Sequence, residues 1–365
     1  MGIHPLFGHK DARERLGAAL RAGRLPQVLL VTGSEGVGKQ RFALWVAQLL
    51  LCDQPAEGEP CGRCRACHQV LGIVHPDLHW FVPIPRPKAG EADRQVDEAE
   101  QSLIDALALR REQPFHPVAD GMAFHPLASV RLLLRKAALK PVLEPGIGGG
   151  SGRRVFVLGE ADRLVPQEAS QEAANALLKF LEEPPANTWV ALTTTEAERV
   201  LPTIRSRSVG VRLSPVSDHE VRAFLIEVVQ PEAGETEALI RLAQGAPGRL
   251  AGAAGEAAGK GGEVAAKAVT EARDLLSAVR SGGESAKYER ALRQPPWSAR
   301  GGFTDLLDAL AIELITEART APSLERTEAL LTALARVETA REQAQGNVNP
   351  QLLLADLAAE LAVAR

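Results

Sequence analysis

Gly33-Ser34-Glu35-Gly36-Val37-Gly38-Lys39 has the spacing G-x-x-x-x-G-K, the pattern of a loop that cradles phosphate. Glycine lets backbone N–H groups curl round phosphate oxygens, a following helix N-terminus adds positive potential, and Lys39 supplies a point charge. The residue after the lysine should be a serine or threonine whose hydroxyl ligates magnesium. Gln40 stands there instead, and its longer amide cannot place a hydroxyl on the ion. A second anchor is missing independently. After the apolar run Val155-Phe156-Val157-Leu158, an ATPase built on such a loop places an aspartate for magnesium, then a glutamate that orients water. This chain has Gly159-Glu160-Ala161-Asp162, with glycine at the metal position and Glu160 at the water-orienting one. A register slip that gives Glu160 the metal would leave no carboxylate for the water. Magnesium neutralises charge developing in phosphoryl transfer, so both losses strike hydrolysis harder than binding. The expectation is a nucleotide or phosphate site (Gly33, Gly36, Gly38, Lys39) without turnover.

Cys52, Cys61, Cys64 and Cys67 are all the cysteines of the chain and form C-x8-C-x2-C-x2-C. Four thiolates at this spacing suit tetrahedral zinc. A ferredoxin-type cluster would want its fourth cysteine four positions after Cys67, where Leu71 stands. His68 is the reserve ligand. A closed set of four ligands leaves no open coordination position, so the zinc is expected to be structural.

These residues need elements to hold them. Residues 11–24 read as a short amphipathic helix, and Val28-Leu29-Leu30-Val31 as a parallel strand buried on both faces. A helix over 39–51 follows. Val155-Phe156-Val157-Leu158 and Val190-Ala191-Leu192 give two further strands, with helices expected over 130–139 and 168–183, the last stopped by Pro184-Pro185. Strands alternating with helices imply a parallel sheet with helices on both faces. Residues 83–124 read as a charged insertion with loop-like flanks, a possible helix over 91–111, and packing resuming near Ser129. Gly146–Gly152 reads as a glycine loop. Short helices are expected over 217–229 and 235–244, a glycine and alanine hinge over 252–262, and helices from 263 to the end, broken around Pro295-Pro296 and Pro322.

Composition narrows the class. The 365 residues are 45% apolar and 24% charged with a net charge of −4, so bulk electrostatics do not draw the chain to nucleic acid. A zinc-containing nucleic-acid module is disfavoured further by the lack of interleaved aromatic and basic residues, with Tyr288 the single tyrosine. No run of about 18 apolar residues exists to cross a bilayer, and the N-terminus lacks the features of a secretory signal. The expected location is the cytoplasm, with no membrane partner.

Together the motifs resemble the clamp-loader subunits of bacterial DNA polymerase III, within the AAA+ superfamily, and most closely the delta prime members. The resemblance rests on Gly8-His9, Arg24-Leu25-Pro26, the altered phosphate loop, the cysteine knuckle after its helix and His75-Pro76-Asp77-Leu78-His79. It rests most specifically on Asn175-Ala176-Leu177-Leu178-Lys179-Phe180-Leu181-Glu182-Glu183-Pro184-Pro185. Thr193-Thr194 falls where the family places its first nucleotide sensor, Gly245-Ala246-Pro247-Gly248-Arg249 resembles the second-sensor motif, and Ile204-Arg205-Ser206-Arg207-Ser208 resembles the Ser-Arg-Cys motif with Ser208 for cysteine. The resemblance covers residues 4–82 and 126–255.

What the resemblance implies is an α/β P-loop (AAA+) domain over 1–213 with the zinc insertion at 52–67, a small helical lid over 214–255 and an all-α collar over 262–365. It implies an arginine finger, Arg207, that enters a neighbour's ATP site, with Thr194 and Arg249 facing this chain's own degenerate site. The partners would be gamma or tau and delta subunits in a ring, and through the ring a sliding clamp and primed DNA. Gln40, Gly159 and Ser208 point to a non-hydrolysing subunit. The alternative is an active ATPase motor of the gamma or tau type.

Overall fold

The computed structural model describes residues 3–88, 90–112, 123–143, 152–164, 172–230, 236–252, 261–281, 302–319, 323–344 and 349–363. It divides into two compact units, Met1–Val228 with Gly245–Arg249, and Val229–Gln244 with Leu250–Arg365. Residues 214–255, expected as one lid, are therefore shared between them.

The first unit is built on a five-stranded, all-parallel sheet. Its strands are β1 (Val28–Thr32), β2 (Leu78–Phe81), β3 (Arg154–Leu158), β4 (Thr188–Thr194) and β5 (Val209–Arg212), in the order β2-β3-β4-β1-β5. Helices covering both faces of such a sheet bury its central strands completely, which is why β1 and β3 read as unbroken apolar runs. The helices are α1 (Lys10–Arg21), α2 (Lys39–Leu51), α3 (Arg65–Leu71), α4 (Ala92–Glu112), α5 (Leu127–Ala138), α6 (Glu172–Glu182), α7 (Pro202–Arg205) and α8 (Asp218–Phe224). From Phe42 to Leu51 every residue of α2 is buried, as expected of a helix packed on all sides. Ser217 starts α8 with a capping box, its hydroxyl accepting from Glu220 N while the Glu220 carboxylate accepts from Ser217 N.

Two strands were not foreseen. β2 lies within the segment noted only for its family likeness. β5 has just Val211 buried, so it lacks the apolar run that marks an inner strand. The insertion also differs from its expected form. Ile84 and Phe124 pair across its base through two backbone hydrogen bonds, and Val96, Ala99 and Leu103 of α4 are buried in the main core. Packing resumes at Ala123 and His125, both buried, before Ser129. The start of the helix expected at 168, most of the 146–152 loop, Pro295-Pro296 and Pro322 lie outside the described residues.

The second unit is helical, with α9 (Thr236–Ala243), α10 (Gly261–Ser281), α11 (Gly302–Arg319), α12 (Leu324–Ala344) and α13 (Pro350–Val363). Leu275, Leu307, Leu310, Val337, Leu354 and Leu357 stand in its apolar core. Gly261 and Gly262 belong to α10, not to the expected hinge, whose residues 253–260 lie outside the described set.

Candidate functional site

In an open parallel sheet, ligands bind beyond the carboxyl ends of the strands. Here the loops after β1, β3 and β4 meet at that edge around a cleft of about 540 Å³. The loop after β1 turns at Gly36 (φ 74°) and enters α2 through Gly38 (φ 100°), conformations open to glycine. Gly36 has a second reason to be glycine: its carbonyl accepts from Gly248 N at 2.8 Å, and a Cβ there would lie 2.7 Å from Arg249 N. The Pro247–Arg249 turn thus closes directly on the loop tip, although the exposed Arg249 side chain is not part of the cleft lining. Lys39 Nζ donates to the carbonyls of Gly33 at 3.0 Å and Ser34 at 2.8 Å, and burial pulls its pKa below the usual lysine range. His9, kept neutral mainly by burial, donates from Nε2 to Val37 O at 2.8 Å. This contact gives a structural reason for Gly8-His9.

The magnesium position is occupied by protein. Arg110, near the end of α4, donates from Nη1 to Gln40 Oε1 at 2.7 Å, and Gln40 Nε2 donates to Glu160 Oε1 at 3.4 Å. The guanidinium also lies over the Trp80 ring, 5.2 Å from its centroid. Glu160 Oε2 is paired with Arg163 at 2.9 Å, and Glu160 N donates to Thr193 Oγ1 at 3.2 Å. Burial raises the Glu160 pKa, with Arg163 and then Arg110 opposing. Gly159 offers no ligand, and its carbonyl accepts from His125 Nε2 at 2.7 Å. His125 is held neutral there, its pKa pushed down to about 4 by burial. These residues do not fit a resident magnesium ion. Glu160 is engaged by Arg163 and Asp162 by Thr194, the hydroxyl ligand after Lys39 is absent, and a fixed cation, Arg110, stands beside the position.

Thr194 is fully buried. Its hydroxyl donates to Asp162 Oδ1 at 2.6 Å and accepts from Glu196 N at 3.0 Å, while Thr193 and Thr195 line the cleft. Arg207 sits between α7 and β5, away from this cleft. Its Nη1 donates to Thr203 O at 2.9 Å, its Nη2 lies 3.4 Å from Glu182 Oε1 on α6, and its Nε is buried without a partner. Ser208 Oγ donates to Arg205 O at 3.1 Å.

The cysteine sulfurs of Cys52, Cys61, Cys64 and Cys67 all lie within 4.8 Å of one another. Tetrahedral thiolate zinc with bonds of about 2.3 Å sets sulfurs about 3.8 Å apart, and Cys52 Sγ lies 3.9 Å from Cys64 Sγ. Backbone N–H groups of Cys61, Cys64 and Cys67 point at Cys52, Cys61 and Cys64 sulfurs at 3.3, 3.4 and 3.4 Å, which stabilises thiolates. Backbone donors from Arg63 and Cys64 bring Cys61 down to about 6. The donor set fits zinc. His68 is exposed and outside the cluster.

A family model described as "DNA polymerase III, delta subunit" matches residues 8–217. The chain belongs to this DNA polymerase III subunit family. Among curated relatives it is 30% identical over 235 residues to "DNA polymerase III subunit delta'" of Escherichia coli strain K12, covering 64% of this chain and 56% of the relative. It is 31% identical over 220 residues to the delta prime subunit of Pseudomonas aeruginosa, covering 60% and 52%. "DNA polymerase III subunit gamma/tau" of Mycobacterium tuberculosis strain H37Rv is 26% identical over 247 residues, covering 66% and 34%. The matched region thus spans about half the length of the delta prime relatives. A solved gamma subunit-related protein of Thermotoga maritima superposes with a TM-score of 0.43 at 16% identity, covering 96% of this chain and 100% of that one. Among the described residues, no helix is long and apolar enough to cross a membrane.

Proposed function

We propose that this chain is a non-hydrolysing clamp-loader subunit of the delta prime type. In this reading it braces a ring with gamma or tau and delta subunits in the cytoplasm, and donates Arg207 to a neighbour's ATP site while a sliding clamp is loaded on primed DNA. The observation that carries the reading is the Arg110–Gln40–Glu160 chain in the metal position. Phosphoryl transfer needs its developing charge neutralised and its water oriented. Here the charge-neutralising position lacks ligands, and the carboxylate that would orient water is tied to Arg163.

Arg207 suits a role in trans. Its tie to Glu182 is a long contact with a carboxylate that is 58% exposed, of the sort worth little in water. Phosphate oxygens of a neighbour's nucleotide would offer the planar guanidinium a stronger, bidentate partner. Cys52, Cys61, Cys64 and Cys67 would hold a structural zinc that staples the excursion between α2 and α3. Residues 214–255 would act as the lid and 262–365 as the collar of the ring.

The motor reading keeps some support, because gamma/tau proteins are among the relatives. Turnover by the isolated chain separates the two. The expected result is no magnesium-dependent ATP hydrolysis that responds to Lys39→Ala. Robust turnover lost in Lys39→Ala would establish the motor reading and overturn the silent one.

A further inference from the structure

On the structural-zinc reading above, we infer that the cysteine knuckle positions α1 and, through α1, the loop after β1, with Glu59 as the positioning residue that joins them.

The knuckle reaches α1 through a tight turn. Ala56 and Glu59 exchange two backbone hydrogen bonds, at 3.0 and 2.8 Å, round Glu57 (φ 54°) and Gly58 (φ 89°), both left-handed. The tip of this turn lies on the backbone of α1. A Cβ built on Gly17 would stand 2.3 Å from Gly58 O, and one built on Gly58 would stand 2.9 Å from Gly17 Cα and 2.7 Å from Arg21 Nη1. Both glycines are buried, and only glycine at both positions allows so close an approach.

Beside that contact, Glu59 spans two helices. Its Oε1 accepts from Arg13 Nε of α1 at 3.0 Å, and its Oε2 accepts from Trp45 Nε1 of α2 at 2.9 Å. Trp45 is only 5% exposed, so without Glu59 its N–H would be buried with no acceptor, which is costly. Arg13 carries the connection onward, donating from Nη1 to Gly8 O at 3.4 Å and from its backbone N to His9 O at 3.0 Å. His9 in turn donates to Val37 O at the tip of the loop at 2.8 Å. Ring packing closes the circuit, with His9 edge-on to Phe42 and Phe42 tilted on Trp45 at centroid distances of 6.1 and 5.4 Å.

The metal enters because the turn lies in the eight-residue segment between Cys52 and Cys61. Bound zinc would tie the two ends of that segment. Without it the segment must close on its own contacts against chain entropy, and so short a hairpin is marginal alone. Loss of metal should therefore free Gly58 and Glu59 from α1, and the start of α1 from Val37.

The test is hydrogen–deuterium exchange of the full chain, read by mass spectrometry. Three forms are compared: zinc-loaded, stripped with a strong chelator, and zinc-loaded Glu59→Ala, with zinc content read by native mass spectrometry. Residues 10–21 and 37–42 are followed against β3 and β4, which report opening of the whole unit. Stripping and Glu59→Ala are each expected to speed exchange over 10–21 and 37–42 by about tenfold or more, as losing a hydrogen bond to a charged group implies. Exchange in β3 and β4 should stay unchanged, and Glu59→Ala should still carry one zinc. Glu59→Gln keeps one acceptor oxygen and should show a smaller increase; it decides the matter if Glu59→Ala does not fold. If stripping opens β3 and β4 as well, the zinc-loaded variants decide alone. Unchanged exchange over 10–21 and 37–42 in a zinc-loaded Glu59 variant, or a stripping effect confined to 52–67, would overturn the inference and leave the structural zinc standing. A chain that binds no zinc would remove both.

Discussion

The side-chain amide of Gln40 lies against Gly159, where a Cβ built on the glycine would stand 3.3 Å from Nε2 and 3.4 Å from Cδ. The two departures from an ATPase pattern are neighbours in space, 119 positions apart in the chain, and the longer residue fills what the missing side chain leaves. Gly159→Ala should therefore cost about 0.5–1 kcal/mol in the native background and less when combined with Gln40→Ala. Chemical denaturation of the two single variants and the double variant measures the coupling. Strict additivity would show that the two sites do not constrain each other.

The cysteine cluster should carry one zinc per chain, read by native mass spectrometry. Cys61→Ser, which removes a ligand on the outer side of the cluster, should lower both zinc content and melting temperature, as should stripping the metal with a strong chelator. An unchanged melting temperature in the metal-free chain would contradict a structural role.

Acid sensitivity has a predictable sign. His79 packs against Phe156 with ring centroids 4.8 Å apart. Burial, followed by Lys136 and Arg154, pushes its pKa down from 6.5 to about 4. As pH falls through 6.5 the unfolded chain takes up this proton first. Stability fully present above 6.5 is thus lost as pH falls towards 4, by on the order of 1–3 kcal/mol. His79→Phe should flatten that part of the stability profile relative to the native chain, and because both proteins carry the cysteine knuckle, loss of metal cancels in the comparison. Parallel profiles would show that His79 does not contribute.

Glu182 should matter little to folding. Its pair with Arg207 is long and exposed, so Glu182→Ala should shift the stability of the isolated chain by less than about 0.5 kcal/mol. Equilibrium unfolding checks this, and a loss above about 2 kcal/mol would mark the pair as a structural tie.

Features that are local in the chain were legible in it. The phosphate loop, the cysteine spacing and the inner strands β1, β3 and β4 each announce themselves within a short stretch, the longest being the sixteen residues from Cys52 to Cys67. β2 carries His79 in its middle, and β5 is an edge strand with exposed Val209, so neither shows the unbroken apolar run of an inner strand. The partner of Gln40 was beyond reach for a different reason: Arg110 arrives from 70 residues away on a helix that looked like the centre of a surface insertion. A signal was nevertheless present. Arg110 continues the stripe Val96, Ala99, Leu103 and Ala106 at spacings of three and four, and a cation on the buried stripe of a helix asks for an explanation. Thr194 shows the opposite limit, because the end of a strand can be located to a residue while the direction of its hydroxyl cannot.

The most direct test of the central claim is ATP hydrolysis by the clamp loader reconstituted with sliding clamp and primed DNA. It compares the native chain with Arg207→Ala and Lys39→Ala versions of this subunit. A silent subunit that completes its neighbour's site predicts that Arg207→Ala slows turnover, by about 10³-fold or more at that neighbouring site, while Lys39→Ala leaves the rate unchanged. If Lys39→Ala is the damaging substitution and Arg207→Ala is neutral, this chain is itself a working motor and the reading of its metal position is wrong.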